Sequence, residues 1–134
     1  MNTKRPLPRP DEDSEVFWEG CRAEELRMQE CSECHTLRFR PRPVCPECLS
    51  DQFKWTPVSG KGRVYTFGVV RSGVLPSFRE EVPYVLALID LEEGPRMTSR
   101  IVGCEPEAVE IGMSVRVLFE ALDDTISLPY FCPQ

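Results

Sequence analysis

Four cysteines carry the strongest chemical signal in this sequence: Cys31-Ser-Glu-Cys34, then ten residues, then Cys45-Pro-Glu-Cys48. The tight turn of each CxxC lets both sulfurs point to one centre, and two such turns supply a complete tetrahedral ligand set. Four thiolates favour Zn²⁺. A rubredoxin-like iron centre uses the same geometry, but no redox-partner signature favours iron here. Because all four donors are protein sulfurs, no position is open for water or substrate, so the metal is expected to be structural. It is also needed, since the stretch from Cys31 to Cys48 has three prolines and little apolar content with which to build a core.

No other residues form a catalytic set. His35 is the only histidine and directly follows Cys34, where it is expected on the surface of the knuckle rather than as a ligand. Serine or cysteine catalysis would have to recruit it from the ribbon. Cys21, Cys104 and Cys132 read as packing or terminal thiols. No glycine-rich phosphate loop occurs. The carboxylates fall in turn-like clusters such as Glu80-Glu81, Glu92-Glu93 and Asp123-Asp124. The chain is not expected to be an enzyme by itself.

The elements that must hold the ribbon follow from pattern. Asp13 or Ser14 offers an N-cap for a short helix with Val16, Phe17 and Trp18 on its apolar side, and Gly20 is expected to limit its length. Before it, prolines at 6, 8 and 10 give an extended arm. Alternation from Leu26 predicts a strand entering the first knuckle. After Gly60 and Gly62 the pattern is β throughout. Tyr65, Phe67 and Val69 are expected on one face, and Val82–Leu91 is apolar on both faces, as in a central strand. Met97–Val102 forms a return strand. Glu105–Gly112 is a helical turn at most, Ser114–Glu120 points Val115, Val117 and Phe119 inward, and a last strand covers Thr125–Phe131. The chain is therefore mainly β: an N-terminal helix, a rubredoxin-like zinc ribbon and a C-terminal five-stranded OB-fold barrel, with an SH3-like barrel or an open antiparallel sheet as alternatives. The expected division is residues 1–30 for arm, helix and lead-in strand, 31–57 for the ribbon and 58–134 for the barrel.

A length of 134 residues with 41% apolar and 28% charged side chains describes an ordinary globular domain. No apolar run reaches the ~18–20 residues of a membrane helix, and charges and prolines occupy the N-terminus where a leader would be apolar. The expected location is the cytoplasm, with no membrane partner. The net charge is −6, yet residues 31–72 hold seven basic and three acidic side chains, while residues 73–134 hold four and eleven. That short positive segment argues against the broad basic face of a polynucleotide binder and leaves room for a ligand with two or three phosphates.

The order of these segments resembles a known family: FWEG (Phe17–Gly20), LRMQECSEC (Leu26–Cys34), PRPVCPEC (Pro41–Cys48), VSGKGRVYTF (Val58–Phe67), VPYVLALIDLEEGPRM (Val82–Met97) and VGCEPEAVEIGMSVRVLFE (Val102–Glu120). It is similar to the zinc-ribbon/OB-fold proteins long catalogued as a domain of unknown function and associated with acyl-CoA metabolism, over about residues 10–131. The resemblance implies an accessory subunit that partners thiolase-like enzymes, aldolases or hydratases and helps bind or channel CoA thioesters.

Such a ligand needs a few cationic groups and a slot with apolar walls. Arg38, Arg40 and Arg42 alternate with Phe39 and Pro41 and would project from one face of an extended strand. With Lys61 and Arg63 they are the candidate contacts to the CoA phosphates, in a groove between ribbon and barrel. Val74, Leu75 and Phe78 lie in the proline-interrupted connection Ser72–Pro83, as a partner or ligand surface or as a lid over the barrel mouth. The rival expectation is a nucleic-acid-binding ribbon/OB module stacking bases on Tyr65 and Phe67, disfavoured by the acidic C-terminal half.

Overall fold

Asp11 organises the start of the chain. Its Oδ1 accepts from the Asp13 and Ser14 amides at 3.1 and 2.9 Å and from the Ser14 hydroxyl at 2.8 Å. Those bonds, the Ser14 hydroxyl first, hold its carboxyl below the ordinary value. Helix α1 follows over Glu15–Arg22 with Ser14 at its N-cap, whose own side chain makes no capping bond. A computed structural model describes residues 5–134, so the first four residues of the expected arm lie outside the described residues.

Gly20 does not end the helix. It is buried inside α1, and a Cβ there would meet the Glu25 carbonyl oxygen at 2.5 Å and the Arg27 side chain at 2.8 Å. Its hydrogen lets the lead-in strand cross directly against the helix.

That strand, β1 (Arg27–Cys31), is the centre of a three-stranded antiparallel sheet in the order β2-β1-β3, with β2 at Leu37–Arg38 and β3 at Phe53–Pro57. The remaining strands are β4 (Lys61–Val70), β5 (Tyr84–Leu91), β6 (Arg96–Ile101), β7 (Ser114–Ala121) and β8 (Ser127–Pro133). They close into a barrel in the order β4-β5-β6-β8-β7, with β7 returning to β4 through Gly62↔Val115. Every pairing is antiparallel except β6 with β8, which meet in parallel at Ile101↔Phe131 alone. This is the five-stranded OB-fold, and it replaces the SH3-like and open-sheet alternatives. Phe17, Cys21, Leu26 and Met28 join Val64, Ile89, Met97 and Phe131 in one hydrophobic cluster, so helix, ribbon strand and barrel share a core.

Two expectations change. The register of β4 against β5 shifts between Val64 and Thr66, a bulge that turns Tyr65 outward. Tyr65 is 49% exposed, whereas Phe67 and Val69 pack against the core. Strand β5 buries only one face, formed by Val85, Ala87 and Ile89; Leu86, on the other face, is 46% exposed. Its second apolar face therefore serves something other than the barrel interior.

Gly20→Ala should lower stability by about 1–3 kcal/mol, because the added methyl overpacks against backbone and outweighs the ~1 kcal/mol helix preference of alanine. Gly68→Ala, where a Cβ meets nothing within 4 Å, is the control and should leave the urea midpoint unchanged or slightly raised. Equal midpoints for the two variants would remove the close-packing role of Gly20.

Candidate functional site

The two knuckles are built alike. The His35 amide donates to the Cys31 carbonyl at 3.0 Å, and the Leu49 amide donates to the Cys45 carbonyl at 2.9 Å. Both residues take the left-handed conformation, with φ of 62° and 66°. Each turn so closed presents its pair of sulfurs to the other. The four Sγ atoms of Cys31, Cys34, Cys45 and Cys48 lie within 4.8 Å of one another, with Cys31–Cys48 at 3.5 Å and Cys34–Cys45 at 3.6 Å. Four sulfurs ~2.3 Å from a zinc ion would be about 3.8 Å apart, so the cluster suits a tetrahedral metal with little movement. Hydrogen bonding from the Thr36 side chain and backbone holds the Cys34 thiol down at about 6. At Cys48 the Ser50 backbone bond is outweighed by the neighbouring sulfurs, which push the thiol up to about 12, as crowded thiols without a bound cation would. His35 is exposed beside the cluster.

The other cysteines are inert by comparison. Burial pushes the Cys21 thiol up to about 12, and Cys104 is raised by desolvation and by Glu105.

The three ribbon arginines do not share a face. Strand β2 ends at Arg38, and Arg40 has φ of 39°, so the expected alternation breaks after one residue. Arg38 is turned inward and only 5% exposed. Its Nε donates to Gln29 Oε1 at 2.7 Å, its Nη2 donates to the Arg42 carbonyl at 2.9 Å, and its guanidinium lies 5.1 Å from the Phe53 ring centroid. Gln29 Oε1 also accepts from the Arg42 amide at 2.8 Å. Arg38 thus ties the loop before the second knuckle to β1. Arg40 and Arg42 remain exposed, as do Lys61 and Arg63 on β4. Arg63 donates to the Gly112 carbonyl at 3.0 Å.

The connection Ser72–Pro83 contains one 3₁₀ turn, Pro76–Phe78. Leu75 is 57% exposed, Val74 is half-buried, and Phe78 faces a cleft of about 490 Å³. Trp18 of α1, Phe39 of the ribbon and Leu86 of β5 form further walls of that cleft. A polar cluster missed in the sequence sits at one end. Arg5 and Arg100 both donate to Glu81 Oε1, at 2.5 and 2.7 Å, and Arg5 reaches the Tyr130 hydroxyl at 3.2 Å. Burial alone would raise the Glu81 carboxyl, but the bonds from Arg100 and Arg5 hold it below the ordinary carboxylate value. These residues are 19, 76 and 125 positions apart pairwise, so no local motif could have announced them. The only signal was the second apolar face of β5.

The proposed stacking residues are not free. The Arg96 guanidinium lies 3.4 Å from the Tyr65 ring centroid, held by bonds to Asp90 at 2.6 and 3.2 Å, and Phe67 faces the core.

Comparison with known proteins places this architecture. Residues 18–54 match the family model described as the rubredoxin-like zinc ribbon domain of ChsH2, and residues 55–120 match that of its C-terminal OB-fold domain. A DUF35 domain-containing scaffold protein of Methanocaldococcus jannaschii is 45% identical over 96 residues, covering 70% of this chain and 67% of that protein. The chain belongs to the DUF35 family. A "Probable enoyl-CoA hydratase alpha subunit" of Thermomonospora curvata is 37% identical over 129 residues, 96% of this chain; the DUF35 chain spans only 40% of that protein's length. Among solved structures, a chain of an "Ltp2-ChsH2(DUF35) aldolase" superposes with a TM-score of 0.84 at 36% identity, covering 94% of this chain and 98% of that one. No helix among the described residues is long and apolar enough to cross a membrane.

Two outcomes follow from this geometry. Metal analysis should find one tightly held ion per chain, and Cys45→Ser, at a buried ligand, should abolish stoichiometric binding and lower the melting temperature by more than 10 °C. A structural zinc contributes on the order of 10–16 kcal/mol in finger peptides, so an unchanged melting temperature would contradict a structural metal. The Glu81 anchor has the sign of a depressed carboxylate. Its contribution is complete above the ordinary carboxylate value and is lost as pH falls through the lowered one. The Trp18 indole resonance should therefore stay fixed from pH 6 to 8 and move only in acid below the ordinary carboxylate range; movement near neutrality would point to another group.

Proposed function

We propose that this DUF35 chain is a non-catalytic accessory subunit that docks onto a thiolase-like, aldolase or hydratase enzyme and helps hold or channel its CoA thioester. The observation that carries this is the four-sulfur cluster: bound zinc would have no open coordination position, so the metal braces the fold and leaves chemistry to a partner. The relatives support the partner class. Besides the hydratase subunit above, a "Benzoylsuccinyl-CoA thiolase subunit BbsA" of Geobacter metallireducens is 31% identical over 78 residues, 58% of this chain and 51% of that one.

In this proposal the exposed cations Arg40 and Arg42, with Lys61 and Arg63, meet the CoA phosphates, while Arg38 supports them from inside the ribbon. Val74 and Leu75 meet the partner, and Phe78 turns toward the cleft. Base stacking is disfavoured, because Arg96 already occupies one face of Tyr65 and Phe67 packs against the core.

Calorimetry with CoA should show the Arg40→Gln, Arg42→Gln double variant binding several-fold more weakly at low salt, with a smaller salt dependence. Unchanged affinity would remove the phosphate assignment. Leu75→Asp should reduce recovery of the enzyme subunit when the two are co-purified; full stoichiometry would move the interface elsewhere.

A further inference from the structure

The OB barrel has one weak seam. Strands β6 and β8 pair only at Ile101↔Phe131, where the Val102 amide also donates to the Phe131 carbonyl at 2.8 Å. Toward Arg96 the two strands separate, and a side chain bridges them instead: the Ser99 hydroxyl donates to the Pro129 carbonyl at 2.7 Å. The cleft opens along this seam. Leu86 and Met97 line it on the β5–β6 side, Leu128 lines it from β8, and Trp18 and Phe39 line it from the helix and ribbon. Pro6, Leu7 and Pro8 of the N-terminal arm lie across it. Among the described residues, no backbone bond ties residues 5–10 to the barrel; the arm is anchored by the Arg5 side chain, through Glu81, Tyr130 and the Phe78 ring at 5.2 Å.

The chemistry of the cleft is one-sided. The long walls are hydrocarbon and aromatic, whereas one end holds two guanidiniums that share a single carboxylate. That end carries an excess of one positive charge, and Arg100 is oriented by the Tyr84 ring 3.9 Å away. A volume of about 490 Å³ lies at the lower end of small-molecule sites. It suits a medium-length or ring-bearing acyl group rather than a whole CoA thioester.

We propose that this cleft seats the acyl part of the thioester, its carbonyl oxygen toward Arg100 and Arg5 and its hydrocarbon along Leu86 and Trp18, with the N-terminal arm as the cover over it. The proposal rests on the thioester function above and assigns it a second subsite: cations of the ribbon and β4 for the nucleotide, the β6–β8 seam for the tail. None of Arg40, Arg42, Lys61 or Arg63 lines the cleft, so the two subsites are separately mutable.

Titration of the full chain with CoA, acetyl-CoA and decanoyl-CoA tests this, with decanoate alone followed by NMR. Decanoyl-CoA should bind at least tenfold more tightly than acetyl-CoA, and decanoate should shift the Trp18 indole and Leu86 methyl resonances. Leu86→Asp, at an exposed position that leaves the barrel interior intact, should erase the tenfold preference without changing acetyl-CoA affinity. Equal affinity for the two esters, with decanoate leaving Trp18 and Leu86 unmoved, would overturn the acyl site while leaving CoA recognition standing. Decanoate binding in the cleft without any affinity for CoA would support the seat and instead overturn recognition of the nucleotide.

Discussion

The fold depends on the coupling of two different kinds of stabilisation through one five-residue strand. Strand β1 begins beside the hydrophobic core and ends in a metal ligand: Met28 is buried in the cluster shared with the barrel, Gln29 faces the ribbon arginine, and Cys31 enters the four-sulfur site. The ribbon beyond Cys31 has almost no apolar mass to bury. Its order rests on the four-sulfur cluster at one end, which suits a metal, and on the β1–β3 ladder along its side. Release of the sulfurs would loosen β2 and the loop before Cys45, and that loosening would reach the barrel core through Met28. Metal and core are therefore expected to behave as one cooperative unit rather than as two domains.

The ribbon uses charge economically. A guanidinium in a nearly dry place costs several kcal/mol unless its hydrogen-bonding capacity is met. Arg38 has no carboxylate partner among the described residues, and its Nη1 and the Gln29 Nε2 are unpaired. What offsets this is the carbonyl of Arg42, the Gln29 oxygen and the face of Phe53. Four thiolates around a divalent ion would leave two negative charges on the adjoining end of the same sheet, and a buried cation two positions along the ladder has the compensating sign. Arg38 belongs to the ribbon's internal electrostatics, which is why it could not join its two neighbours at the surface.

Local pattern made much of this legible. The CxxC pairs, the helix before them and the five barrel strands follow from spacing and alternation, because each is decided by residues within a few positions of one another. The places where pattern misled are those decided by distant partners. Gly20 reads as a limit on helix length, and its packing role stays hidden until the crossing Glu25 carbonyl and Arg27 side chain are known. Tyr65 reads as inward until the bulge in β4 shifts the register by one. The Arg38–Arg40–Arg42 alternation presumes a strand that stops at its first member. Most telling is β5, whose two apolar faces suggest full burial. The second face is apolar because it borders a cleft, and the cleft needs the arm, helix and ribbon to exist, none of which neighbours β5 in sequence.

That arrangement bears on why a small barrel carries a ribbon and an arm at all. An OB barrel of five strands closes on itself, but its parallel seam between the third and fifth strands is the weakest, here a single pair. Left bare, the seam would expose apolar edges to water and to other strands. Phe17 and Trp18 from the helix, in edge-to-face contact at 5.1 Å, and Phe39 from the ribbon, tilted against Phe17 at 5.9 Å, line it. The arm lies across it, held through one side-chain anchor rather than through a ladder. A cover held by one arginine can be displaced at far lower cost than a strand with several backbone bonds. The same aromatic wedge that protects the seam thus leaves one side of it accessible. A metal at the four sulfurs would stiffen the ribbon that carries Phe39, so a site with no open coordination position would still bear on the shape of the cleft.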